Sequence, residues 1–332
     1  MKSQFTEEIF KIKDEDFLNK SIDFFHHQFD NNHIYKQYIH VINRKNLTPN
    51  SIEDFVFLPI SFFKTHQVVC KNTPLLNPNS SPLLFESSGT TQQNKSRHYI
   101  NDSILYEKSF LSSFQSFYGA IEDYCIIALL PSYLEQQHSS LVYMMRDLIN
   151  KSQHELSGFY LYNFEELYSN LLVLQQNKQK TILMGVTYAL LDFAEKFSLS
   201  FPELIVMETG GMKGRREEIS RDSVHEILKK QFQLKTIHSE YGMTELLSQA
   251  YSQGNGIFKC PACMKVLVRD INDPFSINEK GKGAINIIDL ANIHSCCFIA
   301  TDDVGEVYED GSFKINGRLE FSDLRGCNLM YV

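Results

Sequence analysis

Residues 124–130 read YCIIALL and run directly into Pro131. An unbroken apolar run of this length, closed by a residue that cannot extend a ladder, predicts a strand buried on both faces. The pattern repeats downstream. Thr181–Met184 and Leu204–Glu208 read as two more buried strands, separated by a helix over Thr187–Phe197. Helical spacing covers Ile104–Tyr118, Ser140–Ile149 and Arg216–Phe232, and a short strand is expected at Lys235–His238. Strands alternating with helices predict an α/β fold, a mostly parallel sheet layered with helices on both faces.

The two ends differ from this middle. Near the N-terminus, Phe17, Ser21, Phe24, Phe25 and Gln28 fall on one face of an amphipathic helix, with another helix over His33–Asn43. From about Gly254 the elements shorten. Val266–Arg269, Gly283–Asp289, Ile299–Thr301, Gly305–Tyr308 and Ser312–Ile315 read as strands separated by turns such as Glu309-Asp310-Gly311. This predicts an antiparallel β region, of the kind that closes as a small barrel. The expected division is 1–253, a helical N-terminus and α/β core, and 254–332, a β-rich subdomain with a tail. No linker separates them, so a single compact body is expected.

The 332 residues are 43% hydrophobic and 22% charged, the balance of a globular protein. A net charge of −8 argues against a nucleic-acid partner and against docking on an acidic membrane. No apolar run has the length of a spanning helix, and the charged start MKSQFTEEIFKIKDEDF lacks the core of a signal peptide, so a cytoplasmic location is expected. Seven scattered cysteines then read as reduced thiols.

In open α/β sheets, ligands bind where strands end and loops begin. Four segments there have suitable chemistry. Residues 87–99, SSGTTQQNKSRHY, hold no apolar side chain before Tyr99. Small residues bring N–H groups close to an anion, hydroxyls add donors, and Lys95 adds charge. Glu208-Thr209-Gly210-Gly211 follows a strand, and its glycines let a ligand lie against the backbone. The third is His238-Ser239-Glu240-Tyr241-Gly242-Met243-Thr244-Glu245. The fourth is Ala300-Thr301-Asp302-Asp303-Val304-Gly305, followed by Gly317-Arg318.

In this order the four segments resemble the adenylate-forming acyl- and aryl-CoA synthetase superfamily. SSGTTQQNK looks like its phosphate loop, YGMTE like its Tyr-Gly-x-Thr-Glu motif, and TDDVG with Gly317-Arg318 like its ribose-binding pair. A narrower likeness, spanning roughly residue 50 to the end, is to the acyl-protein synthetase family of bacterial bioluminescence, LuxE. It rests on FLPISFFKTH (57–66), ETGGMKGRREE (208–218), FKCPACMKVLVRD (258–270) and GRLEFSDLRGCNL (317–329). The superfamily's mobile small domain, which carries a catalytic lysine, is expected to have no counterpart after GRLEFSDLRGC.

The resemblance implies ATP and Mg2+ as cofactors and activation of a fatty or aryl carboxylic acid as acyl-AMP. Ser87, Ser88, Gly89, Thr90, Thr91 and Lys95 would hold the β- and γ-phosphates. Glu245 would bind magnesium and Thr244 the α-phosphate. Tyr241, with Gly242 beside it, would stack on adenine over a floor of Gly210 and Gly211. Asp303, rather than its neighbour Asp302, would accept the ribose hydroxyls, and Arg318 would close the site. Lys64, a cation in an aromatic stretch, would meet a carboxylate or phosphate in place of the missing lysine. Cys327, with Arg325 beside it, would take the acyl group as a thioester. It would then pass the group to an acyl reductase, or to a carrier-protein or CoA thiol. The sequence leaves two other readings open: acyl transfer to CoA, a carrier protein, a sugar or a lipid without Cys327, and a non-catalytic nucleotide-binding module.

This sequence departs from the superfamily in two places. Gln92-Gln93-Asn94 replace Gly-x-Pro in the phosphate loop, and Phe321 stands where an acidic residue follows the arginine, with Asp323 two later. Cys260-Pro-Ala-Cys263 is one CxxC pair. With His294, Cys296 and Cys297 it raises a zinc reading, against which stands the lack of a second paired motif.

Overall fold

The computed structural model describes residues 8–44, 47–73, 75, 79–87, 95–130, 138–210 and 219–319. Two six-stranded sheets and one hairpin organise it. The YCIIALL run forms the fully buried strand β4 (Cys125–Leu129), with the hairpin β2 (Leu83–Glu86) and β3 (Arg97–Ile100) before it. Around β4 stand β5 (Gly158–Tyr160), β6 (Thr181–Val186), β7 (Leu204–Thr209), β8 (His238–Tyr241) and β9 (Ala250–Ser252), in the order β5-β4-β6-β7-β8-β9. All pairs are parallel except β8–β9. The expected parallel α/β sheet is therefore present. The short strand expected at 235–238 lies three residues later, at the polar run HSEY, because β7 and the antiparallel β9 supply its ladder.

Helices cover both faces, and alternation along β8 decides which side chain meets which. Helix α4 (Ser103–Tyr118) carries Tyr118, whose hydroxyl meets His238 Nδ1 at 3.1 Å. After α5 (Ser140–Ser152), α6 (Phe164–Gln176) and α7 (Thr187–Lys196), α8 (Arg221–Phe232) packs on the opposite face. There His225 Nε2 meets Ser239 Oγ at 3.3 Å. Caps fit the local sequence: the Asp102, Ser139 and Ser220 side chains accept the N–H groups of Leu105, Val142 and Ser223.

The second sheet is antiparallel. It runs β1 (Leu58–Pro59), β13 (Phe298–Val307), β12 (Gly281–Asp289), β10 (Met264–Arg269), β11 (Ile277–Asn278), with β14 (Phe313–Arg318) also on β13. It is open rather than a barrel, since β11 and β14 do not pair. Two strands were expected over 299–308 with a loop between them. Instead β13 passes unbroken through Asp302 and Asp303, aspartates that strands ordinarily disfavour. Pairing overrides propensity there: β12 lies along β13 on one side, with Gly281 opposite Val307, Gly283 opposite Gly305 and Ala284 opposite Val304, and Asp303 faces Arg318 on the other.

The N-terminal helices α1 (Asp14–Asn31) and α2 (His33–Val41) pack on this second sheet. The predicted face of α1, Phe17, Ser21, Phe24, Phe25 and Gln28, is the buried one. Phe298 of β13 is fully buried among Phe55 (4.7 Å, stacked), Phe25 (6.0 Å, edge-on), Tyr35 (6.1 Å, stacked) and Phe57 (6.2 Å, edge-on). Buried Gln28 seals the same contact. Its Nε2 donates to the carbonyls of Asn292 (3.1 Å) and Ile293 (3.3 Å), and its Oε1 accepts from Cys297 N at 2.9 Å. Among the described residues no helix is long and apolar enough to cross a membrane. Phe298→Ala removes the ring shared by this aromatic cluster and should cost about 3–5 kcal/mol, read as a lower denaturant midpoint.

Candidate active site

The hairpin β2–β3 closes the phosphate-loop candidate. Ser87 N donates to Ser96 O and Ser96 N to Ser87 Oγ, both at 3.0 Å, so the chain re-enters β3 beside the point where it left β2. Ser88, Gly89, Thr90 and Thr91 lie outside the described residues, as do Gly211, Phe321, Asp323, Arg325 and Cys327. Lys95 stands at the neck, 3.8 Å from Glu86 Oε2, and Arg97 Nε reaches Glu86 Oε1 at 3.2 Å. The polar stretch 87–99 is thus not all loop. From Arg97 it is a strand with alternating burial, and its histidine faces inward.

His98 is 1% exposed. Its Nδ1 is 2.8 Å from Thr244 O, and its Nε2 is 2.8 Å from Ser295 Oγ. Burial outweighs the bond to Thr244 and lowers its pKa to about 4, so the ring is neutral. A neutral ring bonded to a carbonyl through Nδ1 carries its proton there, and Nε2 then accepts from the serine hydroxyl. This one side chain joins the hairpin, the YGMTE segment and the 3-10 turn Leu290–His294 with its following serine.

Glu245 is 5% exposed, and Ser96 hydrogen-bonds its carboxylate. Burial raises its pKa. Ser96, its own backbone N–H, and the charges of Arg318 and Lys64 act in the opposite direction. Lys64 lies on the short helix α3 (Phe62–Thr65), which buries Phe63 and leaves the lysine exposed, its charge favouring ionised Glu245. The loop is fixed from behind: Asn292 Nδ2 donates to Glu245 O at 2.7 Å. Fully buried Asp289 accepts from Leu247 N and Ser248 N at 2.9 Å each and from Ser248 Oγ at 2.6 Å.

Asp303 links the two sheets. Its Oδ2 accepts from Tyr241 Oη at 2.7 Å, and its Oδ1 from Arg318 Nε at 3.2 Å. Each carboxylate oxygen retains a further lone pair for a hydroxyl. The Tyr241 ring is 9% exposed, with Phe313 edge-on at 5.5 Å and Phe258 tilted at 5.8 Å. Tyr241 thus belongs to an aromatic wall and also orients Asp303. Gly210 follows β7 at φ 71°, a left-handed conformation that side chains rarely adopt, and its carbonyl accepts from Thr187 Oγ1 at 2.8 Å.

Of the expected site residues, Lys64, Ser87, Thr244, Glu245, Asp303 and Arg318 are linked through direct bonds, Ser96, His98 or mutual charge, while Lys95 pairs with Glu86. Gly210, Tyr241 and Gly242 sit at the neighbouring strand ends. The sequence reading missed Glu86, His98 as a buried strut, Ser96, Asp289 and Asn292. Only His98 left a signal, the alternation in Arg97-His98-Tyr99-Ile100. The segment FKCPACMKVLVRD is structural here. Phe258 backs Tyr241, Cys263 bonds Ser248 at 3.2 Å, and Arg269 donates to Thr301 O at 2.6 Å and Asn286 Oδ1 at 2.7 Å. Among the described residues no three His, Cys, Asp or Glu side chains are arranged to hold a metal, and burial pushes the Cys263 and Cys296 thiols up to about 12.

This frame is shared with known structures. ATP-bound MatB from Rhodopseudomonas palustris superimposes with a TM-score of 0.53 at 16% identity, over 71% of this chain and 47% of that one. The long-chain-fatty-acid-CoA ligase FadD1 from Archaeoglobus fulgidus does so with a TM-score of 0.53 at 17% identity, over 72% and 52%. The chain thus spans about half the length of these structures and has the mixed α/β fold of their superimposed part. No family model and no curated protein matches the sequence.

The His98 environment sets a pH dependence. The unfolded chain takes up the proton near pH 6.5, while the folded ring resists it until about 4. Stability is therefore full above pH 6.5 and falls as the pH drops toward 4. His238 and His294 are also lowered to about 4 by burial, so the fall should become shallower in His98→Asn, not vanish. Urea unfolding at pH 7.5 and pH 5 reads the difference.

Proposed function

We propose that the chain is an ATP-dependent, acyl-adenylate-forming enzyme of the acyl-protein synthetase type. The observation that carries this reading is the convergence of buried Glu245, with Ser96, Lys64 and Arg318 around it, and the Asp303–Tyr241–Arg318 link. Both lie at strand ends of a fold shared with ATP-bound MatB and a long-chain-fatty-acid-CoA ligase. A carboxylate flanked by cations suits a ligand that brings both a divalent metal and phosphates.

In this reading Ser87 and Lys95, with Ser88, Gly89, Thr90 and Thr91, hold the β- and γ-phosphates. Thr244 meets the α-phosphate, Asp303 accepts the ribose hydroxyls, and Arg318 neutralises charge between them. Tyr241 and Gly242 border adenine, over Gly210 and Gly211. Glu245 is an oxygen donor of the kind Mg2+ takes, and the ion would neutralise phosphate charge. The carboxylate oxygen of a fatty or aryl acid attacks the α-phosphorus as the bond to pyrophosphate breaks. Lys64 draws in the anionic acid. The Cys327 thiolate then attacks the acyl carbon, AMP departs, and the thioester passes to an acyl reductase or to a carrier-protein or CoA thiol.

Acid-dependent exchange of labelled pyrophosphate into ATP tests the first half. Glu245→Gln should lower exchange by about 10²-fold or more. Asp303→Asn should raise the KM for ATP about tenfold, the equivalent of one hydrogen bond to a charged group. ATP binding without exchange, whatever the acid, sinks the enzymatic reading in favour of a nucleotide-binding module. Incubation with labelled acid and ATP, followed by hydroxylamine, tests the second half. Cys327→Ser should keep exchange and lose the hydroxylamine-sensitive label. Label unchanged in that variant removes the cysteine from the route.

A further inference from the structure

Ser96 touches no ligand in the proposed chemistry, yet it reaches both halves of the nucleotide site. It is 3% exposed. Its backbone closes the hairpin: the Ser96 N–H donates to Ser87 Oγ, and the Ser96 carbonyl accepts from Ser87 N, both at 3.0 Å. Its hydroxyl goes elsewhere, to the Glu245 carboxylate. Alternation along 95–98 produces the division. Lys95 and Arg97 lie on the side of Glu86, at 3.8 Å and 3.2 Å. Ser96 and His98 are buried on the other side and meet the YGMTE segment.

Two features separate the task of the hydroxyl from support of the hairpin. The bonds to Ser87 come from the Ser96 backbone, and any residue but proline would supply them. The Glu245 backbone is also held without Ser96. Asn292 Nδ2 donates to its carbonyl at 2.7 Å, and His98 Nδ1 meets the neighbouring Thr244 O at 2.8 Å. What is left to fix is the direction of the carboxylate. Arg318 and Lys64 act on it through charge, which favours the ion without aiming it. The donors bonded to it are the Ser96 hydroxyl and its own backbone N–H. A hydrogen bond to an ionised acceptor is stronger than one between neutral groups. A donor carried on a buried strand therefore sets where the remaining lone pairs point.

We propose that Ser96 is a positioning residue that couples the phosphate loop to the metal site. Its backbone sets the neck of the loop on Ser87, and its hydroxyl aims the Glu245 carboxylate at the divalent cation that accompanies the phosphates. This rests on the adenylation reading and adds to it a link made by the protein itself. Mg2+ takes one or two protein carboxylates besides substrate phosphates, so the aim of a single carboxylate counts. A phosphate held at Ser87 acts on the same residue that holds Glu245. Loop and carboxylate then answer one nucleotide as a unit.

The probe is Mn2+ in place of Mg2+, followed by electron paramagnetic resonance as it binds with ATP in the absence of any acid. Ser96→Ala should raise the dissociation constant of Mn2+·ATP about tenfold, the equivalent of one hydrogen bond to a charged group, and leave that of metal-free ATP within about twofold. Ser96→Thr, which keeps the hydroxyl, should match the wild type. In Glu245→Ala the further change Ser96→Ala should add no loss, because the carboxylate it serves is gone. Equal losses for metal-free ATP and Mn2+·ATP in Ser96→Ala, or no loss for either, overturn the inference. So does a full further loss in the Glu245→Ala background, or Ser96→Thr behaving as Ser96→Ala. Each of these leaves adenylation standing. Failure of the wild type to bind Mn2+·ATP overturns the adenylation reading itself, and this inference with it.

Discussion

One neutral imidazole holds the site together. His98 donates to the carbonyl of Thr244 and accepts from Ser295, so three segments far apart in sequence meet on a ring of fixed tautomer. If the ring were charged, Nε2 would face the serine as a second donor, and a cation would sit in a fully buried position. The ring is also geometrically restricted, with Phe63 edge-on at 5.5 Å. Phe63 belongs to the same short helix as Lys64, so the packing that orients His98 also sets where that lysine emerges.

The support continues outward through polar contacts inside an apolar shell. Asn292 holds Glu245, Asp289 holds Leu247 and Ser248, and Gln28 holds the carbonyls of Asn292 and Ile293. Asn32 Nδ2 reaches Ser295 O at 2.7 Å. Each bond contributes modestly, yet removing one partner leaves a buried group unpaired. The chain from α1 to the turn at 290–295 and on to Glu245 gives the N-terminal helices a task beyond covering the second sheet. Hydrophobic burial around Phe298 supplies the adhesion, and the polar bonds supply the register.

Much of the fold was legible because apolar runs and helical periods report burial directly. The strands around 125–129, 181–186 and 204–209, and the inward face of α1, followed from pattern alone. β8 and the middle of β13 did not. Their residues, HSEY and TDDV, are polar yet largely buried with polar partners on neighbouring elements, and pairing with neighbouring strands holds them extended. β2 and β3 were hidden for a similar reason, since the polar run 87–99 extends into a strand. The site candidates emerged from ordered motifs, which name residues but not their supports. His98, Asp289 and Asn292 act across separations that no local window spans. The assigned stretch 88–94 and Cys327 lie outside the described residues, so their roles rest on the sequence motifs.

Two buried carboxylates five residues apart on one segment show how environment divides labour. Burial raises the pKa of both Glu240 and Glu245. Glu245 has Ser96 bonded to it and the charges of Arg318 and Lys64 acting on it, which oppose the effect of burial. Glu240 has a threonine on one oxygen and an acidic neighbour, and its other oxygen lies where a Cβ on Gly242 would stand. Position along the strand produces the difference. Glu240 points across the face of β8, whereas Glu245 lies in the loop that His98 and Asp289 fold back toward β14. Similar side chains under similar burial thereby sit among different charges and hydrogen-bond partners.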